Sequence, residues 1–239
     1  MRVLVTAGGT DEDIDAIRSI TNNATGRTGE KIARYFRGKE HDVTILTADE
    51  SFSNRDDILK FRENLLLRNV KHFRTYDELK FLIEKEIRGG KYDVVIHSAA
   101  VSDWYVAGVF ASNIGGAYHQ IDNSTKIKTP HDRLSLELLR TEKIVDKIRD
   151  TWGFKGKLVK FKHEMGVSDE KLIEIATKSM HDSKADFIVA NCDEWKRVRA
   201  IIVSADGSCQ HVTRDKLPEE LLKKLTEEAP RQISGQGGE

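Results

Sequence analysis

Short apolar segments recur along the chain and alternate with segments of helical periodicity. Each short segment is a continuous apolar run, which is typical of parallel strands covered by helices on both faces. Six such segments predict buried strands, at residues 3–6, 43–47, 94–97, 158–161, 187–190 and 200–203. We therefore predict an α/β, Rossmann-like three-layer fold with a mostly parallel sheet.

Helix start signals lie between these predicted strands. Thr75 and Glu78 have the spacing of a capping box. Ser168 is a suitable N-cap, and Pro218 suits a first helical turn. Apolar residues follow each signal at intervals of three and four, which places them on one helical face. The alternation of strands and helices favours right-handed crossovers.

Residues 104–141 interrupt this alternation. They lack a clear periodicity and contain Gly115-Gly116 and several lysines. A long irregular insertion in a compact domain is usually functional or mobile, so we predict an irregular arm or flap over a site, with a disordered surface loop as the alternative. Residues 1–231 are predicted to form a single nucleotide-binding α/β domain that includes this arm. Residues 232–239 are predicted to be a flexible C-terminal tail.

Composition narrows the class of protein. The 239 residues include 39 basic and 39 acidic side chains, so no net charge draws the chain to nucleic acid or to an anionic membrane. No segment approaches the roughly 18 apolar residues of a membrane span. Cys192 and Cys209 have neither CxxC nor zinc spacing, which favours a reducing compartment. We predict a cytoplasmic protein with no nucleic-acid or membrane partner.

Glycines follow the first predicted strand, as Ala7-Gly8-Gly9-Thr10. In open α/β sheets, ligands bind beyond the carboxyl ends of the strands, where glycine lets backbone N–H groups approach an anion. The segment matches neither the dinucleotide fingerprint nor the P-loop. A phosphate-binding turn is one interpretation, and a purely structural tight turn is the other.

Asn22 and a Gly-x-x-Gly, Gly26 to Gly29, come next and open a predicted helix. A helix N-terminus offers unpaired N–H donors and partial positive charge. The amide of Asn22 can donate to a developing oxyanion. For an isolated asparagine, a helix cap or a turn is the simpler interpretation.

Later candidate residues end other strands or lie in the arm. Ala99 and Ala100 let a ligand lie against the backbone, and Asp103 can bind a ribose hydroxyl or a metal-bound phosphate, unless it caps a helix. His97 is predicted to be a hydrogen-bonded core histidine rather than a catalyst. Additional candidates are Lys126 and Lys128 for a polyphosphate, Phe161 for a nucleobase, and Asn191 at a strand end. A solvated loop and an ordinary core aromatic are the alternatives for the lysines and Phe161.

Taken in order, these segments resemble the phosphopantothenoylcysteine synthetase family. The resemblance rests on Thr6-Ala7-Gly8-Gly9-Thr10, then Glu12, Asp15, Arg18, Ile20-Thr21-Asn22 and Gly26-Arg27-Thr28-Gly29, on Ala99 to Tyr105, on Lys126-Ile127-Lys128, and on Phe161 and Ala190-Asn191. It spans roughly residues 3 to 205 and contains four ordered motifs.

The resemblance implies a ligase that joins 4′-phosphopantothenate to cysteine through an acyl-nucleotidylate in coenzyme A biosynthesis. A nucleoside triphosphate, CTP or ATP, would be the co-substrate with Mg²⁺ and without flavin. By the same resemblance, Asn22 and Lys126 are catalytic. The nucleotide-binding residues it implies are Gly8, Gly9, Thr10, Gly26, Gly29, Ala99, Ala100, Asp103, Lys128, Phe161 and Asn191, and it implies a homodimer whose arm contributes to the partner's site.

The chain departs from the common bacterial pattern of that family. Lys160 stands where a glycine often precedes the phenylalanine, Cys192 replaces an aspartate, and Arg140-Thr141-Glu142-Lys143 replaces Lys-Asn-Pro-Asp. A pair of helical lysines is reduced to Lys178. These departures leave the choice between CTP and ATP open, and the absence of a flavin-binding half predicts a stand-alone synthetase. An NAD(P)-dependent oxidoreductase and a non-catalytic nucleotide-binding module are the competing interpretations.

Overall fold

The computed structural model describes residues 1–52, 69–90 and 92–227. The strands in chain order are β1 Arg2–Ala7, β2 Asp11–Asp13, β3 Ser19–Thr21, β4 Asp42–Thr47, β5 Asn69–His72, β6 Val94–His97, β7 Trp104–Ser112, β8 His119–Ile121, β9 Arg133–Arg140, β10 Lys157–Glu164, β11 Phe187–Cys192, β12 Arg199–Ser204 and β13 Cys209–Thr213. The helices are α1 Arg27–Gly38, α2 Tyr76–Arg88, α3 Ile144–Asp150, α4 Asp169–Asp182 and α5 Leu217–Glu227.

The central sheet has the strand order β13-β12-β11-β10-β6-β1-β4-β5. From β11 to β5 the neighbouring strands are parallel, which confirms the predicted α/β architecture. The prediction of a parallel strand at 200–203 is wrong, because β12 runs antiparallel to β11. The connecting residues 193–198 are too few for the crossover of about a dozen residues that a parallel pair needs.

Two apolar layers cover the sheet, one on each face, as the pattern of continuous apolar strands predicts. Helices α2, α3 and α4 pack on one face against residues such as Leu4 and Leu158. Helices α1 and α5 pack on the other face against residues such as Val5 and Val159. Thr75 and Glu78 form the predicted capping box of α2, and the side chain of Ser168 caps α4.

The arm at residues 104–141 is a three-stranded antiparallel sheet in the order β8-β7-β9. The prediction of an irregular segment is therefore wrong for most of its length. Leu134, Leu136 and Leu138 alternate with polar residues along β9, which is the period of a strand with two different faces. The stretch between β8 and β9 remains without regular structure.

Helix α5 ends the described part of the chain at Glu227. The predicted tail, residues 232–239, and the predicted domain end at residue 231 lie outside the described residues. None of the helices in the described ranges combines the length and the apolarity that a bilayer span requires.

Candidate active site

Two sequence motifs meet side by side beyond the carboxyl ends of β1 and β6. Gly9 and Ala100 form an isolated parallel bridge. The N–H of Ala100 donates to the carbonyl oxygen of Gly8 at 2.8 Å, and the N–H of Thr10 donates to the carbonyl oxygen of Ala100 at 3.1 Å. The hydroxyl oxygen of Thr10 accepts from the N–H of Ser102 at 2.9 Å. We call residues 8–10 and 99–102 the ledge.

Both the backbone and the side chain of Asn22 form hydrogen bonds with this ledge. Its N–H donates to the carbonyl oxygen of Thr10 at 3.2 Å, and its Nδ2 donates to the carbonyl oxygen of Ala100 at 3.2 Å. An amide nitrogen carries two N–H groups, and within the described residues the second has no protein acceptor. The sequence thus folds so that Asn22 presents one donor at the joint of both motifs.

A cavity of about 370 Å³ opens beside the ledge at the ends of β1 and β4. Its lining includes Gly8, Gly9 and Asn22, which are candidate site residues from the sequence, together with two arginines, Arg27 and Arg74. We call it the first cavity. Asp13 binds the guanidinium of Arg74 through two hydrogen bonds of 2.6 Å. Arg27 is exposed, and no ion pair holds it within the described residues, so it is the cation available to an anionic ligand.

Glycine is required at this cavity for steric reasons. Gly8 has φ +98, and a Cβ there would lie 2.6 Å from the Cβ of Ala48. A Cβ on Gly9 would lie 2.2 Å from the carbonyl oxygen of Asn22. These glycines let the ledge approach Asn22 and the end of β4 closely, so the tight-turn and binding interpretations of this segment are compatible.

Helix α1 points its N-terminus at the same region. Its N-cap is Gly26, with φ +73 and no side-chain cap, so its first N–H groups are left for solvent or a ligand. Gly29 is buried, and a Cβ there would lie 2.5 Å from the hydroxyl oxygen of Ser98. Close helix–sheet packing thus explains Gly29, while its predicted contact with a nucleotide stays a prediction.

Carboxylates also border the first cavity. Asp11 and Asp49 line it, and Glu12 lies next to Asp11 on β2. Burial, followed by the charges of nearby aspartates including Asp77, raises the pKa of Glu12 to about 7. The described residues contain no group of three His, Cys, Asp or Glu side chains arranged to hold a metal ion by themselves.

A second cavity, of about 180 Å³, lies on the other side of the ledge, beyond β6 and β10. It brings together the predicted residues Ala99, Asp103 and Phe161. Phe161 is half-buried and packs against the core, so both interpretations of this aromatic remain open. Asp103 precedes a strand rather than a helix, which excludes the helix-cap alternative.

Lys160 and His97 form the buried end of the second cavity. The ammonium of Lys160 donates to the carbonyl and hydroxyl oxygens of Ser179, each at 3.0 Å, and to the hydroxyl oxygen of Ser183 at 3.1 Å. Burial lowers the pKa of Lys160 to about 8. His97 lies 3.0 Å from the hydroxyl of Thr6, and burial lowers its pKa to about 4. His97 is the hydrogen-bonded core histidine that the sequence predicts.

Asn191 binds an arginine, Arg214, that the sequence analysis does not single out. Its side-chain oxygen accepts a hydrogen bond of 2.9 Å from Arg214, and Arg214 also donates to the hydroxyl of Thr28 in the first turn of α1. Burial lowers the pKa of Arg214. A single arginine after a polar strand carries no sequence signal, because its position is set by the β12–β13 hairpin.

Lys126 and Lys128 are exposed on the arm, on either side of buried Ile127. Within the described residues, neither lysine lines the first or the second cavity. The structure therefore brings most of the predicted residues to the ledge and its two cavities. The lysine motif lies outside both cavities.

Comparison with known proteins shows where related sequences occur. Residues 1–233 match the family model described as the C-terminal domain of the DNA/pantothenate metabolism flavoprotein. The chain is 38% identical to the coenzyme A biosynthesis bifunctional protein CoaBC of Thermococcus kodakarensis, over 80% of this chain and 41% of that protein. The corresponding protein of Methanocaldococcus jannaschii is 26% identical, over 80% of this chain and 40% of its own length.

A solved structure supports the same relationship. The DNA/pantothenate metabolism flavoprotein from Streptococcus pneumoniae superposes with a TM-score of 0.76 at 26% identity, covering 95% of this chain and 99% of that one. The chain spans about two fifths of the length of the curated relatives it matches.

Proposed function

The chain belongs to the family of DNA/pantothenate metabolism flavoprotein C-terminal domains, and we propose that it joins 4′-phosphopantothenate to L-cysteine at the expense of a nucleoside triphosphate. The relatives named coenzyme A biosynthesis bifunctional protein support this assignment. The single structural observation that carries it is the position of Asn22, which lines the first cavity and binds the ledge at the joint of both motifs.

In the proposed first step, a carboxylate oxygen of 4′-phosphopantothenate attacks the α-phosphorus of the triphosphate. The bond from that phosphorus to the β-phosphate oxygen breaks, and pyrophosphate leaves. Two anions must meet, so the site has to supply positive charge. Arg27 and the uncapped N-terminus of α1 supply it at the first cavity.

In the proposed second step, the cysteine amine attacks the acyl carbon of the acyl-nucleotidylate. The carbon–oxygen bond to the nucleotide breaks, the nucleoside monophosphate leaves, and the amine loses a proton as the amide forms. Negative charge develops on the carbonyl oxygen during this attack. The donor for that oxygen is the side-chain N–H of Asn22 that is not bonded to Ala100.

Magnesium fits this arrangement as a partner of the triphosphate rather than as an ion in a cage of protein ligands. Mg²⁺ is usually held by one or two carboxylates together with substrate phosphates, and Asp11 and Asp49 are the carboxylates that line the first cavity. When bound, the ion would offset charge on the leaving pyrophosphate. The protein's part is to present these oxygens and the opposing cations.

The second cavity suits the base and ribose of the nucleotide. It is separated from the first cavity by the ledge, over which a nucleotide could extend with its phosphates toward α1. Asp103 offers a carboxylate to ribose hydroxyls, and Phe161 offers a ring beside the base. The choice between CTP and ATP rests on this cavity, where Lys160 departs from the family pattern.

A homodimer is part of the proposal. Trp104, Leu134 and Leu138 are exposed by 46%, 43% and 40%. Val106 on β7 pairs with Leu138 on β9, and Ala111 pairs with Leu134. Paired residues of an antiparallel sheet lie on the same face, and Trp104 lies two positions before Val106. Trp104, Leu134 and Leu138 therefore share one face of the arm sheet. Tyr105 and Leu139 are exposed on the opposite face. Exposed apolar side chains of this kind are typical of an interaction surface.

The test is pyrophosphate release from purified protein given 4′-phosphopantothenate, cysteine, Mg²⁺ and either CTP or ATP. Release that requires 4′-phosphopantothenate is the expected result, and the faster nucleotide identifies the co-substrate. No release with either nucleotide, from folded protein that still binds them, would contradict the proposal.

Asn22→Asp tests the role of the side chain directly. The carboxylate cannot donate to an oxyanion, so we expect turnover to fall about 100-fold, with a smaller change in nucleotide affinity because the second cavity is untouched. Steady-state kinetics and nucleotide titration measure both. Asn23→Asp is the matched control, since Asn23 is exposed and lies outside the first cavity. Wild-type turnover in Asn22→Asp would remove Asn22 from the mechanism.

A further inference from the structure

The β2–β3 hairpin ends in a tip, residues 14–18, organised by one buried carboxylate. Asp15 is 3% exposed. Its Oδ1 accepts from the N–H groups of Ile17 and Arg18 at 3.0 and 2.9 Å. Its Oδ2 accepts from Nε and Nη2 of Arg18 at 3.0 and 2.5 Å. This carboxylate is thus tied to its own hairpin by backbone and side-chain donors.

The same pair holds one residue of the arm. The N–H of Ile127 donates to Oδ2 of Asp15 at 3.0 Å, and the carbonyl oxygen of Ile127 accepts from Nη2 of Arg18 at 2.9 Å. Both backbone polar groups of Ile127 are therefore bound by the hairpin tip. A further bond runs from the side chain of Asn123 to the carbonyl oxygen of Ile14 at 2.9 Å. We call the Asp15, Arg18 and Ile127 arrangement the clamp.

The clamp grips the lysine motif at its centre. Ile127 is 6% exposed, whereas Lys126 and Lys128 on either side are exposed. The clamp therefore holds the segment through its buried central residue and leaves both lysine side chains in solvent. Hydrogen bonds from Arg18 and from backbone N–H groups hold the pKa of Asp15 far below its usual range. The carboxylate of Asp15 is accordingly ionised at neutral pH.

The hairpin also determines the position of Asn22. Strand β3 ends at Thr21, and Asn22 follows directly and binds the ledge. Strand β2 begins at Asp11, immediately after Thr10 of the ledge. One short hairpin therefore has the ledge and Asn22 at its base and the lysine motif at its tip.

We propose that Asp15 and Arg18 are positioning residues that fix Lys126 and Lys128 at a set distance from Asn22 within the same chain. The inference rests on the proposed function and on the sequence-based expectation that Lys126 and Lys128 contact the polyphosphate. Holding the segment before the nucleotide arrives removes part of the entropy cost of ordering it on binding. A clamp within one chain also differs from the resemblance, which implies an arm serving the partner's site.

The kinetic test is a double-mutant cycle. Asp15→Asn keeps the size of the side chain and removes its charge, and Arg18→Lys keeps the charge and removes the fork that reaches Ile127. Misplacing the lysines is expected to raise KM for the nucleoside triphosphate about tenfold in either variant. In a Lys126→Ala/Lys128→Ala background, the same changes are expected to have little further effect, because no lysine remains to be positioned. Effects of equal size in both backgrounds would overturn the proposal.

Trypsin provides a readout that needs no activity. Docked Ile127 shields the peptide bonds after Lys126 and Lys128, so cleavage there is expected to be at least several times faster in Asp15→Asn and Arg18→Lys than in the wild-type chain. Asp122→Asn is the control, because Asp122 lies on the same segment and bonds to Ser124 rather than to Ile127. Circular dichroism confirms that each variant is folded.

The two readouts separate the clamp from the proposed function. A protein that releases no pyrophosphate but shows the faster cleavage would retain the clamp and lose the ligase assignment. A protein with the predicted activity, in which folded Arg18→Lys is cleaved as slowly as the wild-type chain and keeps its KM, would retain the ligase and lose the clamp.

Discussion

Lys160 departs from the pattern of the family, yet its buried ammonium has hydrogen-bond partners. Lys160 lines the second cavity, and its ammonium donates to three oxygens of Ser179 and Ser183 near the end of α4. An ammonium has three N–H donors, so all of them are used. Lys160 therefore shapes the cavity without offering a cation to a ligand there.

The lowered pKa of Lys160 makes the stability of the protein depend on pH. Between about 8 and the ordinary lysine value of 10.5, the unfolded chain binds more protons than the folded chain. Stability therefore rises with pH across this window, and the penalty of the buried charge is fully present below pH 8. Lys160→Met is expected to raise the free energy of unfolding at pH 7 by about 1–2 kcal/mol.

Urea unfolding at pH 7 and pH 10.5 measures this effect, and the gain from Lys160→Met should vanish at the higher pH. Lys162→Met is the control on the same strand, because the Lys162 ammonium pairs with Glu164 at a half-exposed position. A gain for Lys160→Met that is equal at both values would show that the buried charge is not its cause.

Single residues were predictable where local sequence decides their environment. Asn22 lies next to two glycine motifs, and His97 ends a strand of buried residues, so both follow from the chain itself. Arg214 and the bond partners of Asp15 did not, because each contact joins segments far apart in sequence, 186 positions for Arg214 and Thr28. Local patterns contain no information on such distances.

At the scale of the element, helix α1 lies very close to the sheet at Gly29. The nearest atoms to a Cβ at this position would be the hydroxyl oxygen of Ser98 at 2.5 Å and the Cβ of Ala7 at 2.8 Å. Because both neighbours belong to strand ends beneath the helix, Gly29 sets how near the N-terminus of α1 lies to the ledge.

Gly29→Ala is expected to reduce the free energy of unfolding by about 1–3 kcal/mol, since the methyl group overfills a packed contact. Thermal or urea unfolding gives the value. The control is Gly89→Ala at the end of α2, where φ is −65 and the nearest atom to a Cβ would be 3.2 Å away. Equal effects at the two positions would contradict the close approach.

Strands and helices were predictable where the apolar runs or the capping residues were unambiguous. The six buried strands and the capped helices follow from continuous apolar runs and capping residues. Strands β5 and β13 lie at the two edges of the sheet and bury little apolar surface, so their sequences look like loops. The strands of the arm were not predicted for a related reason, because many of their apolar residues are exposed.

At the scale of the whole molecule, the proposed homodimer is expected to form through the exposed apolar residues of the arm. Leu138→Glu places a charge among Trp104 and Leu134, and we expect it to weaken the homodimer at least tenfold. Sedimentation across a range of concentrations measures the change. Phe81→Glu is the control, because Phe81 is an exposed apolar residue on α2. A monomeric wild-type protein, or an unchanged dimer in Leu138→Glu, would contradict this role of the arm.

The strand order of the central sheet has a consequence for the nascent chain. Strand β4 pairs with β1, β5 with β4, and β6 with the open side of β1, after which β10, β11, β12 and β13 each join the strand made just before. As the chain leaves the ribosome from its N-terminus, every new strand therefore meets an edge that already exists. No strand has to be inserted between two that are already paired. The sheet can therefore grow outward during synthesis, and each exposed strand edge is covered by the next strand that is made.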